Sequence, residues 1–417
     1  MSPPASSPVN RLANSADIII LGAGIGGWTA FRTLARGLRR AGLPHTIILI
    51  NDTDYFTFKP LLHEVVSGSV LPEHASFSLP PKCPPPHVFV QARVQKINPP
   101  EKTVATDRGL FSYQYCIVAL GSNVNYFNIP GAAAYSYPIT DLPAALRLRQ
   151  ALMDKIAAAT THLNVVIVGG GYTGVEVAGQ LAWLARQELS RRYPQKQTTI
   201  TIVERGAQIA ATLPLPAQSL VKQRLEDLGV RLLLGAAVQK VTNQAVRLAD
   251  GTMLPADVTV WAAGLRHTAP DYLAPESLEK NCLPVNEHLQ LVGFPTLYAI
   301  GDIAYFCPPS AASPAPQLGE TAHKEGEYAA RHIIAALRRR KIKPFRFVSK
   351  GTVMPIGEHY GLLIIKNRMV LKGLLAWWFR RLVYVWYLPG PAHKLKLMLD
   401  WSLPPFNIVD IIRLRKK

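Results

Sequence analysis

The chain has 417 residues, with 46 Lys and Arg against 27 Asp and Glu, for a formal net charge of +19. That length supports two or three domains with a sizeable core. Its four cysteines (Cys83, Cys116, Cys282, Cys307) make no C-x-x-C or C-x-x-x-x-C pair, which excludes a disulfide framework and a dithiol redox centre and points to a reducing compartment. No run of about 20 uncharged apolar residues occurs, so no transmembrane helix is expected. Residues 1–15, rich in Ser and Pro without an apolar segment, are expected to be a disordered tail and not a secretion signal.

Ordered structure is expected to begin at Asp17-Ile-Ile-Ile-Leu-Gly-Ala-Gly-Ile-Gly-Gly27. A buried strand passes into Gly22-x-Gly24-x-x-Gly27 and then a helix to about Arg40. In this context the first two glycines allow a tight turn and close approach of a pyrophosphate, and the third lets helix and strand pack. Ile47–Ile50 is the next strand, and an acidic residue commonly ends it to bind a ribose. Here Asn51 stands at that point with Asp52 beside it, an amide that hydrogen-bonds more weakly than a carboxylate. After Lys59-Pro-Leu-Leu-His-Glu64, the prolines between Leu71 and His87 predict an extended surface loop. Val88–Ile97, Thr103–Thr106 and Tyr115–Leu120 are expected as strands of an inserted β-layer. Gly121 follows as a return point toward a bound flavin.

A helix over Asp141–Ala159 leads to the second fingerprint, Asn164-Val-Val-Ile-Val-Gly-Gly-Gly-Tyr-Thr-Gly-Val-Glu176, with Gly169, Gly171 and Gly174 in the three glycine roles. After a polar insertion at 193–197, the strand Thr198–Glu204 ends in a carboxylate. Glu204 there hydrogen-bonds a ribose 2′-hydroxyl and repels a 2′-phosphate, which favours NADH over NADPH; Arg205 beside it softens the preference. Leu220–Leu228 reads as a helix, Val230–Leu234 as a strand, Asp250-Gly251 as a hairpin turn and Val258–Gly264 as a closing strand. Phe294-Pro-Thr-Leu-Tyr-Ala-Ile-Gly-Asp302 is a strand ending in Gly301-Asp302, whose carboxylate can accept a ribityl hydroxyl of FAD. Gly319 opens a helix whose first turn is expected near the flavin ring. No metal ligand set is present.

Residues 331–417 carry 19 Lys or Arg against Glu358, Asp400 and Asp410, so the basicity belongs to the C-terminal region. Arg338-Arg-Arg-Lys-Ile-Lys343 is a basic run, Gly373–Tyr387 is apolar and aromatic except for Arg380 and Arg381, and Pro404–Lys417 reads as an amphipathic helix. Trp377, Trp378, Trp386 and Trp401 with flanking Lys and Arg fit helices lying on an anionic lipid surface. A homodimer interface or a core-packed C-terminal helix pair is the competing use of that surface. No recognition module accompanies the charge, so nucleic acid is not an expected partner.

With both fingerprints, Trp261-Ala-Ala-Gly264, Tyr298-Ala-Ile-Gly-Asp302 and Lys59–Glu64 in hand, the chain resembles the type II NADH:quinone oxidoreductases. The resemblance covers residues 16–415 and implies an α/β fold of two Rossmann-like dinucleotide-binding domains, related to the flavin disulfide reductases, with a C-terminal amphipathic membrane-anchoring region. Expected boundaries are 16–140 and 269–344 for a discontinuous FAD domain, 141–268 for the NADH domain and 345–417 for the anchor. The resemblance implies FAD on Gly22, Gly24, Gly27, Asn51, Asp52, Val94, Gly121, Gly301, Asp302, Gly319 and Glu320. It implies NADH on Gly169, Gly171, Gly174, Glu204 and Gly264, with Glu176 near the nicotinamide and flavin. It further implies a non-pumping, single-subunit enzyme peripheral to the cytoplasmic face of the inner membrane or an equivalent organelle membrane, passing electrons to a membrane quinone.

One departure stands out: the family's Ala-Gln-x-Ala-x-Gln is Gly319-Glu320-Thr321-Ala322-His323-Lys324 here, with Glu320 and Lys324 as candidate proton relays. A sulfide:quinone oxidoreductase-like activity is the enzymatic alternative, resting on Cys116 and Cys307. A flavin-binding NADH sensor at the membrane surface is the non-enzymatic one.

Overall fold

A computed structural model describes residues 15–158, 161–192, 194–274, 278–308, 314–349, 351–365, 369–388 and 391–402. The expected helix over 404–417 and almost all of the 1–15 tail lie outside the described residues. In chain order the main elements are β1 (Ser15–Leu21), α1 (Ile25–Ala41), β2 (Ile47–Asn51), α2 (Leu62–Ser67), β3 (Val88–Gln91), β4 (Val94–Asn98), β5 (Thr103–Thr106), β6 (Gly109–Val118) and α3 (Leu142–Ala158). There follow β7 (His162–Val168), α4 (Tyr172–Leu184), β8 (Gln197–Glu204), α5 (Leu215–Asp227), β9 (Arg231–Leu234), β10 (Val258–Trp261), β11 (Gln290–Leu291), β12 (Phe294–Ala299) and α6 (Gly319–Leu337). The chain closes with β13 (Thr352–Pro355), β14 (Gly361–Ile365), β15 (Met369–Gly373), α7 (Leu374–Tyr387) and α8 (Pro391–Ser402).

The chain divides into two compact units. The first comprises Met1–Phe56, Phe77–Asn123 and Arg266–Ser349. Its sheet runs β11-β12-β6-β1-β2-β3, parallel from β12 to β3. Ile18, Ile19, Ile20 and Leu21 of β1 are wholly buried, as expected for a continuous apolar run covered on both faces of a parallel sheet. The structure corrects the expected inserted layer: Val88–Gln91 and Gly109–Val118 are strands of this main sheet, and only the β4–β5 hairpin is added to it. The reason is visible along β6, whose first half alternates beside β5 while Cys116, Ile117 and Val118 are fully buried between β1 and β12.

The second unit comprises Thr57–Ser76, Val124–Leu265 and Lys350–Lys417. Its parallel sheet has β10, β7, β8 and β9 in that order, with Tyr137–Pro138 on the β10 edge. An antiparallel trio spans 238–255 and turns at Asp250-Gly251. A second trio, β13–β15, precedes α7 and α8. Where the sequence boundaries assign 57–76 to 16–140, and 350–417 to a separate tail, the structure groups 57–76 and the described residues from 351 to 402 with the 124–265 segment. A buried ion pair between α2 and α7 supplies the physical reason.

Candidate functional site

The two glycine turns are built alike. Gly22 and Gly169 adopt φ of +91° and +107°, a region that side-chain-bearing residues rarely enter. A Cβ on Gly22 would meet the Ala119 carbonyl oxygen at 2.5 Å, and one on Gly169 would strike the Ala262 carbonyl. The third glycines are as constrained: a Cβ on Gly27 would overlap the Gly22 carbonyl, and one on Gly174 the Gly169 carbonyl. The middle glycines differ. A Cβ on Gly24 or Gly171 would meet no atom of the described residues within 4 Å. Their backbones are extended, with φ of −67° and −77°, and each caps the helix that follows. The protein's own packing therefore needs glycine at the first and third positions. At the second, a bare backbone is left in open space at a helix N-terminus, which is the fit a pyrophosphate requires.

Each turn is also tied to the end of the next strand. Asn51 Oδ1 accepts from the Ala23 N–H at 2.8 Å, while its Nδ2 donates to the Thr53 carbonyl and hydroxyl. Glu204 stands in the matching place: Oε2 accepts from the Gly170 N–H at 2.6 Å and Oε1 from the Gly206 N–H at 2.7 Å. Asn51 thus departs from the acidic pattern while still holding its turn. It spends its donors on Thr53, and Asp52 beside it is exposed.

In the first unit Asp302 accepts from Ser122 Oγ at 2.7 Å. Gly301 lies at φ +72°, and its N–H donates to Glu325 Oε2 at 2.6 Å. Burial, and then the charge of Asp302, push the Glu325 carboxyl up to about 8. Gly121 lies at φ +71°, and its carbonyl accepts from Thr268 Oγ1. Val94 opens β4 as a buried residue, and Gly319 is the first residue of α6. In the second unit the Gly264 carbonyl accepts from the Asn125 N–H. Glu320 and Lys324, the charged replacements in α6, are paired with each other at 2.6 Å. Glu320 Oε2 accepts from Ser349 Oγ, and Lys324 Nζ donates to the Val348 carbonyl. Glu320 and Lys324 thus form one ion pair that fastens residues 348–349.

Glu176 belongs to the second unit, in a buried polar cluster that sequence reasoning missed. Arg380 Nη2 donates to Glu64 Oε1 at 2.5 Å, with both side chains 2% exposed. Trp401 Nε1 donates to Glu64 Oε2 at 2.8 Å. Arg381 pairs with Glu358 at 3.3 Å and lies over the Trp377 ring. Gln180 Nε2 reaches Ser67, Ser69 and Glu358. His63 sits between two carboxyls, its Nε2 3.7 Å from Glu64 and its Nδ1 3.7 Å from Glu176. Burial holds His63 down at about 4, so it is neutral near pH 7. Burial raises Glu176 to about 8 against the pull of Arg380, so its carboxyl is largely protonated at neutral pH. For Glu64, burial acts upward, but the Arg380 charge and the other donors hold it ionised. Nε and Nη1 of Arg380 are buried without an acceptor among the described residues. Charged residues inside otherwise apolar stretches, Glu64 in one and Arg380–Arg381 in the other, are the available signal: each implies a partner.

Cys116 is fully buried in β6, its thiol pushed up by burial, while Cys307 is exposed. Among the described residues no His, Cys, Asp and Glu group could hold a metal, and no helix is long and apolar enough to cross a membrane.

Residues 16–326, well over half of the chain, match the family described as pyridine nucleotide-disulphide oxidoreductase. A type II NADH:quinone oxidoreductase of Staphylococcus saprophyticus is 28% identical over 84% of this chain and 90% of its own. Its namesake in Staphylococcus aureus is 29% identical over 85% and 90%. Among solved structures, NDH2 from Plasmodium falciparum in complex with NADH superposes with TM-score 0.83 at 21% identity, covering 93% of this chain and 97% of that one. The sulfide:quinone oxidoreductase from Aquifex aeolicus gives 0.73 at 18% identity, covering 93% and 92%; both likenesses are of fold. The chain belongs to the pyridine nucleotide-disulphide oxidoreductase family, and its curated relatives include type II NADH:quinone oxidoreductases.

Proposed function

We propose that this protein is an FAD-dependent NADH:quinone oxidoreductase that works without proton pumping at a membrane surface. The observation that carries the reading is the pair of turns whose middle glycines leave bare backbone facing open space, one in each unit. FAD would lie on Gly22, Gly24 and Gly27, with Asp302 toward its ribityl chain. NADH would lie on Gly169, Gly171 and Gly174, with Glu204 toward its ribose. When bound, the flavin supplies the ring that takes up the electron pair of NADH and returns it to an acceptor. The chain's own residues bind, orient and supply protons. The turn N–H groups and helix N-termini neutralise the two pyrophosphates. Glu176, which the resemblance puts near the nicotinamide, carries a proton at neutral pH that can be given to a reduced acceptor. Arg380, buried in the same cluster, holds the Glu64 carboxylate ionised.

Association with the membrane is supported by α7, where Leu375 is 80%, Leu382 65% and Trp386 79% exposed. Membrane quinone as acceptor is supported by the names of the curated relatives. Steady-state assays with NADH, NADPH and sulfide as donors against several quinones test the reading. It expects NADH with quinone to be the preferred pair; sulfide-driven turnover at comparable rate would overturn it.

Two further outcomes are expected here. Because Glu176 is protonated below about 8 and ionised above it, quinone reduction is expected to fall as pH rises through that value. Glu176→Gln, which stays neutral, is expected to abolish this limb in a pH–rate profile while lowering the rate. Glu204→Gln keeps one acceptor oxygen where two are used. It also removes the charge that repels a 2′-phosphate, so the NADPH-to-NADH ratio of kcat/KM is expected to rise roughly tenfold or more.

A further inference from the structure

The first unit carries a basic ridge that the chain order hides. On α1, Arg32, Arg36, Arg39 and Arg40 are all exposed, and at 100° per residue they fall within roughly 100° of arc on one helix face. On α6, the exposed run 338–341 (Arg-Arg-Arg-Lys) follows directly on the last turn. These two groups come together because α1 and α6 pack side by side in the same direction. Thr29 Oγ1 bonds His323 Nδ1 at 2.9 Å. A Cβ on Gly326 would overlap the Gly26 carbonyl, and one on Gly37 would run into Ile334 Cδ1. Residues 26, 29 and 37 thus lie against 326, 323 and 334, so the C-terminal ends of the two helices share one end of the unit.

Some basic residues there answer the helix dipoles, but each helix C-terminus presents only about half a negative charge. Two such ends set about one negative charge against eight positive side chains. No carboxylate pairs with any of the eight among the described residues; the one ion-paired arginine on this stretch of α6, Arg331, is bound by Glu327. Burial first, and the Arg36 charge second, lower the Arg32 guanidinium.

We propose that this ridge docks on the phosphate headgroups of anionic lipid. Seven of the eight side chains are arginine, whose planar fork matches phosphate oxygens. No large apolar side chain is exposed on α1 or along 331–346, so the surface lacks the aromatic and aliphatic anchors of a protein interface and the stacking rings of a single-strand groove. Lipid is favoured over a nucleic-acid duplex because this chain also exposes Leu375, Leu382 and Trp386 on α7. The inference rests on the proposed membrane association and assigns it a second, purely electrostatic contact.

The test uses the full chain and vesicle co-sedimentation, with phosphatidylcholine alone and with phosphatidylcholine mixed with phosphatidylglycerol. At about fivefold per basic residue, the triple variant Arg36→Gln, Arg39→Gln, Arg40→Gln is expected to lose roughly 100-fold in affinity for the mixed vesicles. Its salt dependence should become shallower, and its binding to phosphatidylcholine alone should not change. The matching triple lysine variant is expected to bind mixed vesicles nearly as wild type does. Undiminished binding by the glutamine variant overturns the proposal, as does wild-type protein leaving mixed vesicles for duplex DNA in competition. Loss of binding to both vesicle types on Leu375→Glu would instead report on α7, and neither result depends on NADH or quinone turnover.

Discussion

Arg380→Ala is expected to destabilise the protein by about 3–5 kcal/mol, because it leaves the Glu64 carboxylate buried without its counter-ion. Both side chains are 2% exposed, so water cannot replace the missing partner. His63 cannot substitute, since burial keeps it neutral near pH 7. Trp401 still donates one hydrogen bond and the Arg381 charge still acts on Glu64, which together offset only part of the buried charge. The sign of the pH dependence follows. Without Arg380 the Glu64 carboxyl rises toward the value burial alone dictates, so the deficit is largest at neutral and alkaline pH and shrinks as acid protonates it. The double variant Glu64→Leu with Arg380→Met, apolar and of similar volume, is expected to recover most of the loss. Denaturant melts of the two variants across pH read both outcomes. A single-variant loss below about 1 kcal/mol would place the pair among weak surface bridges.

Gly171→Ala is expected to weaken NADH binding by roughly 100-fold or more while leaving the fold slightly more stable than before. Its backbone is extended and a Cβ there meets nothing of the described protein. Alanine is therefore accommodated, and the reduced chain freedom of the unfolded state adds about 0.4–1 kcal/mol of stability. The methyl group instead stands where the pyrophosphate must approach, and each charge-assisted hydrogen bond it prevents costs about 1.5–3 kcal/mol. Gly24→Ala is expected to do the same to FAD retention. Gly174→Ala and Gly27→Ala are the contrast: their Cβ atoms overlap carbonyls of the preceding turns, so both should lose stability whether or not ligand is present. Isothermal titration with NADH, paired with melts of the ligand-free proteins, separates the two classes.

The parts legible in sequence are those set by local chemistry. Both strand–turn–helix units follow from glycine spacing and short apolar runs, because turn geometry and parallel-sheet burial leave few other choices. The main sheet reads wrongly as an inserted layer because β6 is two things at once: an alternating partner of the β5 hairpin strand and, from Cys116 on, a fully buried central strand. Val88–Gln91 reads as a strand, but it is exposed at both ends and only half-buried between, so nothing in its pattern separates the β3 edge of the main sheet from a strand of another layer. The buried cluster is illegible for a different reason: Glu64 and Arg380 lie 316 residues apart, and only the fold reveals that two isolated charges are one pair. The Glu320–Lys324 salt bridge is legible in outline, because residues four apart on a helix share one face. The basic ridge escapes notice because the first 330 residues are nearly balanced overall, whereas α1 gathers its arginines on one face and packing sets them beside the run after α6.

The most direct measurement is an anaerobic titration of the purified holoprotein with NADH, followed through the visible flavin absorbance. Bleaching by one equivalent of NADH, and recovery on adding a quinone without oxygen, is the predicted result. Flavin that stays oxidised with NADH, or bleaches and then remains reduced with every quinone, would contradict electron flow from NADH through the bound flavin to quinone.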